Sequence, residues 1–287
     1  MVKAFAPLLA LLLAAPGPAA VPAAAAAAPA FVPSRFTVEV VGHGPDVVLI
    51  PGLTASKEVW RGTVAAVPGY RYHLIQISGF AGAPARGNRD GPVVAPLAAE
   101  IARYIAANRL RRPAIVGHSM GGTLALMLAA RHPRLVGRAM VVDMLPQPAE
   151  LLGTSAEGIR GLADMLASVS GTSFGQSLID SAVRMFGNAA PVNAKSDRDV
   201  VARAAHELAL ADLTPELARI QAPLTVLYAS PADSLAATAD GVYRRAYAGD
   251  PAARLVRIDG SSHMIMADQP ARFAEELRRF LSSSPRT

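Results

Sequence analysis

Ala114-Ile115-Val116-Gly117-His118-Ser119-Met120-Gly121-Gly122-Thr123 is the stretch that decides the fold. Ala114 to Val116 reads as a short buried strand, and Leu124 to Ala130, nearly all apolar, as a helix packed deep against a sheet. Between them lies a G-x-S-x-G sequence, in the strand–turn–helix context that this motif requires. A serine on so tight a turn is forced into strained backbone geometry. Gly117 and Gly121 are glycines because chain segments there come too close for a Cβ. The turn projects the Ser119 hydroxyl over the sheet edge. It also leaves the Met120 N–H at a helix N-terminus, where it can receive negative charge developing on a carbonyl oxygen. The competing reading is an ordinary Gly/Ser turn.

Working outward, short β-branched runs alternate with helical patterns, which is the rhythm of an α/β fold. Phe36–Val41, Val47–Ile50, Tyr72–Ile77, Ala139–Val142, Leu224–Ala229 and Arg254–Ile258 are predicted strands. Val94, Leu97, Ile101, Tyr104 and Ile105 fall on one side of a predicted helix. Phe273, Leu277, Phe280 and Leu281 do the same in the last one, with Asp268 as a candidate cap and Pro270 in the first turn. From Leu145 to about Pro215 the strand rhythm stops. Leu162, Met165, Leu166 and Val169 form one helical face there, Leu178, Ile179, Val183 and Phe186 a second, and Asp199–Ala211 a third, more polar stretch. Residues 145–215 are therefore expected to be a helical insertion between two parts of one core, 31–144 and 216–287.

The first thirty residues are different material. Lys3 is their only charge, Ala4 to Ala15 is apolar, and Ala28-Pro29-Ala30 is a small-x-small site before Phe31. That pattern is expected of a secretory signal peptide, cut between Ala30 and Phe31, and so of a periplasmic or secreted bacterial protein. A disordered Ala/Pro leader would have a similar composition. The apolar run is shorter than the ~20 residues that a membrane span needs, so no stable span is expected.

Composition narrows the chemistry further. With 52% hydrophobic and 17% charged residues in 287, the chain has ample material for a core. It has no cysteine, which excludes disulfides, thiol nucleophiles and cysteine metal sites. The formal charge of +6 is scattered, with 25 arginines against 3 lysines and no basic run longer than two. Nucleic acid is not expected as a partner. No metal cluster or cofactor motif is visible, and the G-x-G-x-x-G nucleotide pattern is absent. The oligomeric state is not legible.

Through Ser119 and its turn, the chain resembles the α/β-hydrolase superfamily, in particular serine esterase-like members with a helical cap. The resemblance spans Phe36 to Leu281. It implies a mostly parallel eight-stranded sheet with helices on both faces, and an order of strand, nucleophile turn, cap, acid and histidine. Serine alone is a poor nucleophile, so a histidine base and an orienting acid are needed. His263, in Asp259-Gly260-Ser261-Ser262-His263 after the last strand, matches the family's base. Asp233 matches its acid, after Leu224–Ala229, although Ser230 stands where glycine is usual. Asp143, ending the strand after the nucleophile helix, is the alternative, and Asp240 a third. The resemblance places a second oxyanion donor after Val47–Ile50, in Pro51-Gly52-Leu53, which makes it the Leu53 N–H beside that of Met120. Trp60 is read as a packing residue.

A serine in place of a carboxylate argues against dehalogenation and epoxide opening, and for acyl transfer on a small-molecule acyl substrate. The expected reaction is carboxylic ester hydrolysis through an acyl-enzyme. Amide, lactone and carbon–carbon bond cleavage would use the same triad, and a catalytically silent binding module is the reading of a different class. Met165, Leu166, Phe174, Leu178, Met185 and Phe186 would suit an apolar acyl group. Arg184, Lys195, Arg198 and Arg203 would suit an acidic one.

Overall fold

The computed structural model describes residues 31–169, 172 and 195–283. The expected signal peptide, and the helical face at Leu178–Phe186, lie outside these residues. From Phe31 onward the described chain forms one compact unit.

Seven strands make a single sheet among the described residues: β1 (Phe36–Gly42), β2 (Asp46–Ile50), β3 (Arg71–Ile77), β4 (Ala114–His118), β5 (Arg138–Val142), β6 (Leu224–Ser230) and β7 (Arg254–Asp259). Their order is β1-β3-β2-β4-β5-β6-β7. Every neighbouring pair is parallel except β1 with β3, where Phe36 faces Ile77 and Gly42 faces Arg71. All seven strands follow runs legible in the sequence, whereas the eighth came from the resemblance alone. Gly42 and Gly44 both take positive φ, and a Cβ at either would meet the Tyr70 or Gly69 carbonyl oxygen within 2.4 Å. This turn leads β1 directly into β2.

Eight helices accompany the sheet among the described residues: α1 (Arg61–Ala66), α2 (Val94–Ala107), α3 (Met120–Arg131), α4 (Ala156–Val169), α5 (Arg198–Ala209), α6 (Asp233–Ala246), α7 (Ile265–Asp268) and α8 (Pro270–Ser282). Period-two alternation along the strands divides the core into two layers. Val48, Ile50, Ile115, Ala139, Val141 and Val226 point to the side of α2, α3, α5 and α6. Val47, Leu49, Val116, Met140, Val142 and Leu227 point to the side of α8. Trp60 is fully buried on that second side and tilts against Phe273 at 6.2 Å between ring centres, so it is a packing residue.

The segment between β5 and β6 contains α4 and α5. The helical periodicity of α4 was read correctly but its buried face was not. Ala156, Ile159 and Ala163 are buried, while Leu162 and Met165 are about half exposed. Ala156, Ile159 and Ala163 form the inward side of α4, and Leu162 and Met165 lie on the side open to solvent. Asp197 caps α5 by accepting the Asp199 and Val200 N–H groups. Glu207 on α5 accepts the Val93 and Val94 N–H groups at the start of α2, at 2.6 and 2.8 Å, which ties this segment to the core.

Candidate active site

The parallel strands β2, β4, β5, β6 and β7 end on one edge of the sheet, with Ile50 beside Gly117, His118 beside Val142 and Ser230 beside Asp259. In an open α/β sheet this edge is where side chains from different strands can meet around a ligand.

Ser119 sits between β4 and α3 with φ 54° and ψ −123°, a backbone conformation costly for any residue with a side chain. Crowding enforces it. A Cβ on Gly117 would lie 1.9 Å from the Gly121 carbonyl oxygen, and one on Gly121 would lie 2.2 Å from that of Ile50. The Ser119 N–H donates to the Val142 carbonyl at 2.9 Å, while its own carbonyl accepts from Gly122 and Thr123. Met120 is the first residue of α3, so the helix itself supplies no acceptor for its N–H. The loop after β2 passes close by. A Cβ on Gly52 would be 3.0 Å from the Ser119 Cβ, and Leu53 follows directly. Thr54, next again, has φ 61°.

His263 lies in the loop after β7, and four anchors fix this loop. The Gly260 N–H donates to Ser230 O at 2.8 Å, and Gln269 Nε2 donates to Gly260 O at 2.9 Å. The Asp268 carboxylate accepts from both the N–H and the hydroxyl of Ser262. The His118 ring donates to the His263 carbonyl at 2.9 Å. Asp268 is therefore not the cap of the final helix. Gln269 occupies that position without a side-chain cap, and Asp268 holds the histidine loop.

The carboxylate beside His263 belongs to Asp143. His263 Nδ1 and Asp143 Oδ2 are 2.7 Å apart, and both side chains are largely buried. Asp143 follows β5 directly with φ 53°. Its other oxygen, Oδ1, accepts from the Ala229 N–H at 2.9 Å and the Tyr243 hydroxyl at 3.0 Å. Burial pushes this carboxyl up, but the His263, Ala229 and Tyr243 donors outweigh burial and hold it below the usual aspartate value. Asp233, the acid expected from the resemblance, is instead the exposed first residue of α6, and the structure does not bring it to His263. The altered turn Ser230-Pro231-Ala232 accounts for this. Ser230 is buried, and its hydroxyl bonds to the Ala232 carbonyl, which closes the turn on itself and starts the helix at Asp233. Asp240 is committed to the Tyr228 hydroxyl and Arg257.

His118, the residue before the nucleophile, is buried and turns its ring to the His263 loop. Its Nε2 must carry the proton, because a carbonyl only accepts. Its buried Nδ1 has no partner. Burial, followed by the nearby charge of His263, pushes its pKa down to about 3. The two rings are 4.6 Å apart, which places the His263 ring beside the residue preceding Ser119. Sequence reading passed over Tyr243 and took Asp268 for a helix cap rather than for the anchor of the histidine loop. Tyr243 and Tyr247 at i, i+4 look the same whether they pack a core or present a hydroxyl to a carboxylate.

Residues 47–276 match the family model described as the alpha/beta hydrolase family. A pimeloyl-[acyl-carrier protein] methyl ester esterase of Aeromonas hydrophila is 33% identical over 135 residues, 46% of this chain and 51% of that protein. A putative carbamate hydrolase, RutD, of Serratia proteamaculans is 31% identical over 103 residues, 36% of this chain and 38% of that protein. The chain thus spans about half or less of the length of these relatives. Among solved structures, the enol-lactonase of Burkholderia xenovorans LB400 aligns with a TM-score of 0.67 at 20% identity, over 86% of this chain and 96% of that one. A thermophilic esterase of Thermogutta terrifontis aligns with a TM-score of 0.69 at 19% identity, over 86% and 92%. Likeness at that level of identity shows the fold.

Proposed function

We propose that this chain, which belongs to the alpha/beta hydrolase family, is a serine hydrolase that cleaves a carboxylic ester through an acyl-enzyme. The observation that carries the reading is the 2.7 Å pairing of His263 with Asp143 beside the strained Ser119 turn. In this mechanism Asp143 fixes the His263 proton on Nδ1, leaving Nε2 as the base that takes the Ser119 proton. Ser119 Oγ attacks the carbonyl carbon. The Met120 and Leu53 N–H groups receive the oxyanion, and His263 returns the proton to the leaving alcohol. Water then repeats the sequence and releases the acid. The names of the two curated relatives, a methyl ester esterase and a carbamate hydrolase, support attack at a carbonyl that bears a heteroatom leaving group.

The helical segment between β5 and β6 serves in this reading as a cap, and its apolar residues favour an uncharged acyl chain or ring. Buried apolar surface is worth roughly 25 cal/mol per Å², so the preference is graded rather than absolute. Of the cations that would favour an acidic substrate, Arg203 already donates to the Asn88 and Arg89 carbonyls, which argues for the apolar preference. Phe174, Leu178, Arg184, Met185 and Phe186 lie outside the described residues. Export with cleavage between Ala30 and Phe31 is part of the same proposal. Among the described residues, no helix is long and apolar enough to cross a membrane.

The test is an organophosphonate probe together with kcat/KM on p-nitrophenyl acyl esters of increasing length, with amide, lactone and carboxylate-bearing analogues in the panel. Wild type should label at Ser119 and favour uncharged esters. Ser119→Ala should lose labelling and nearly all turnover. Wild-type rates in Ser119→Ala would overturn the mechanism, and preference for the carboxylate-bearing ester would overturn the apolar pocket.

A further inference from the structure

The Asp143 carboxylate is held at a place where strand geometry alone would not hold it. It sits one residue past β5, in a left-handed backbone conformation, and is largely removed from water. A carboxylate in such surroundings stays ionised and oriented only if donors satisfy both of its oxygens. One oxygen faces His263. The other takes two donors from the neighbouring β6–α6 unit: the Ala229 N–H, fixed by the strand, and the Tyr243 hydroxyl.

Tyr243 is itself tightly determined. It is buried on α6, stacks on Tyr228 at 4.3 Å between ring centres with planes 15° apart, and lies parallel to Tyr247 at 6.4 Å. The three hydroxyls nevertheless go to different places: that of Tyr228 to Asp240, that of Tyr247 to the Met144 carbonyl, and that of Tyr243 to Asp143. Burial, then the charge of Asp143, keeps the Tyr243 phenol protonated, so it is always a donor. The β6–α6 unit, from which the resemblance would draw the acid, here supplies neutral donors to an acid on the adjacent strand.

We infer that Tyr243 is a positioning residue that works through Asp143, its hydroxyl fixing the carboxylate plane that orients His263. The inference rests on the serine-hydrolase reading. Two variants separate this role from packing: Tyr243→Phe, which removes only the hydroxyl on Asp143, and Tyr228→Phe, which removes a hydroxyl from the same stack but on Asp240. Active sites are counted by phosphonate titration of the full chain. The readouts are kcat, KM and the low-field proton resonance of the His263–Asp143 hydrogen bond.

Tyr243→Phe should lower kcat about tenfold or more, the worth of a hydrogen bond to a charged group, with KM nearly unchanged and the resonance shifted. Tyr228→Phe should alter Tm alone. Replacing Tyr243 by 3,5-difluorotyrosine keeps the shape while strengthening the donor, and should also move the resonance. This keeps the test available if Tyr243→Phe folds poorly. A Tyr243→Phe protein with lower Tm but wild-type kcat and an unmoved resonance would overturn the inference. Failure of the underlying reading has its own signature: wild type would then take no phosphonate, or Ser119→Ala would keep its turnover.

Discussion

The His118 ring and the His263 backbone are joined: Nε2–H of the residue preceding the nucleophile donates to the carbonyl of the candidate base at 2.9 Å. The two loops that carry the reacting groups therefore cannot drift apart independently. The same contact gives the protein a pH signature in its stability. His118 is neutral in the fold, with its pKa pushed down to about 3 by burial, whereas in the unfolded chain it takes up a proton near its ordinary value. A depressed folded pKa stabilises fully above the unfolded pKa and loses that stabilisation as pH falls toward the folded one. Wild-type Tm should fall between pH 6.5 and 4, and His118→Gln, whose amide can keep the donor to His263, should show a shallower slope. Parallel melting curves across that range would contradict this.

The acid assignment is tested by two asparagine variants at matched folding. Asp143→Asn removes the charge at His263, and kcat should drop about 10³–10⁴-fold. Asp233→Asn alters an exposed helix terminus and should stay within about twofold. The reverse ranking would restore the acid to the turn after β6.

Two glycines should respond to alanine with opposite signs. A Cβ at Gly121 would meet the Ile50 and Pro51 carbonyl oxygens at 2.2 and 2.9 Å, both of them backbone. Gly121→Ala should cost about 1–3 kcal/mol or more and move the loop bearing Leu53. Gly161, inside α4, has nothing within 4 Å of its missing Cβ. Gly161→Ala should stabilise by up to about 1 kcal/mol through helix propensity. Thermal melts with activity assays distinguish the two.

Glu100 on α2 is buried and accepts from the N–H and hydroxyl of Ser34 and the N–H of Arg35, at 2.9, 3.0 and 2.8 Å. Glu100→Ala should destabilise by about 1.5–3 kcal/mol and release the segment before β1. Limited trypsin digestion should then cut after Arg35 well before wild type is cut there.

What could be read in advance followed from local crowding and periodicity. The glycines around Ser119 have no reading compatible with an ordinary strand or helix, and short β-branched runs marked each strand of the described sheet. His263 was singled out through the resemblance, whose histidine follows the last strand. Asp143 and Asp233 could not be separated in the same way, because each ends a strand–turn unit on the same sheet edge. The choice depends on whether Ser230-Pro231-Ala232 closes on itself, a hydrogen bond that composition does not encode. The faces of α4 were misread because apolar spacing shows where a stripe lies, not whether small or large residues meet the neighbouring helix.

Placing the carboxylate just after β5 sets Ser119 and Asp143 past the ends of adjacent strands, β4 and β5, and leaves Pro231, Ala232 and Asp233 with no bond to His263. The β6–α6 turn is thereby released from the selective constraint that a catalytic acid would impose. Pro231, Ala232 and Asp233 are exposed on the same sheet edge as Ser119, and their side chains can change while Ser230 keeps the His263 loop and Tyr243 keeps Asp143. In a directed-evolution library, this turn is where diversity in substrate approach should be most cheaply tolerated.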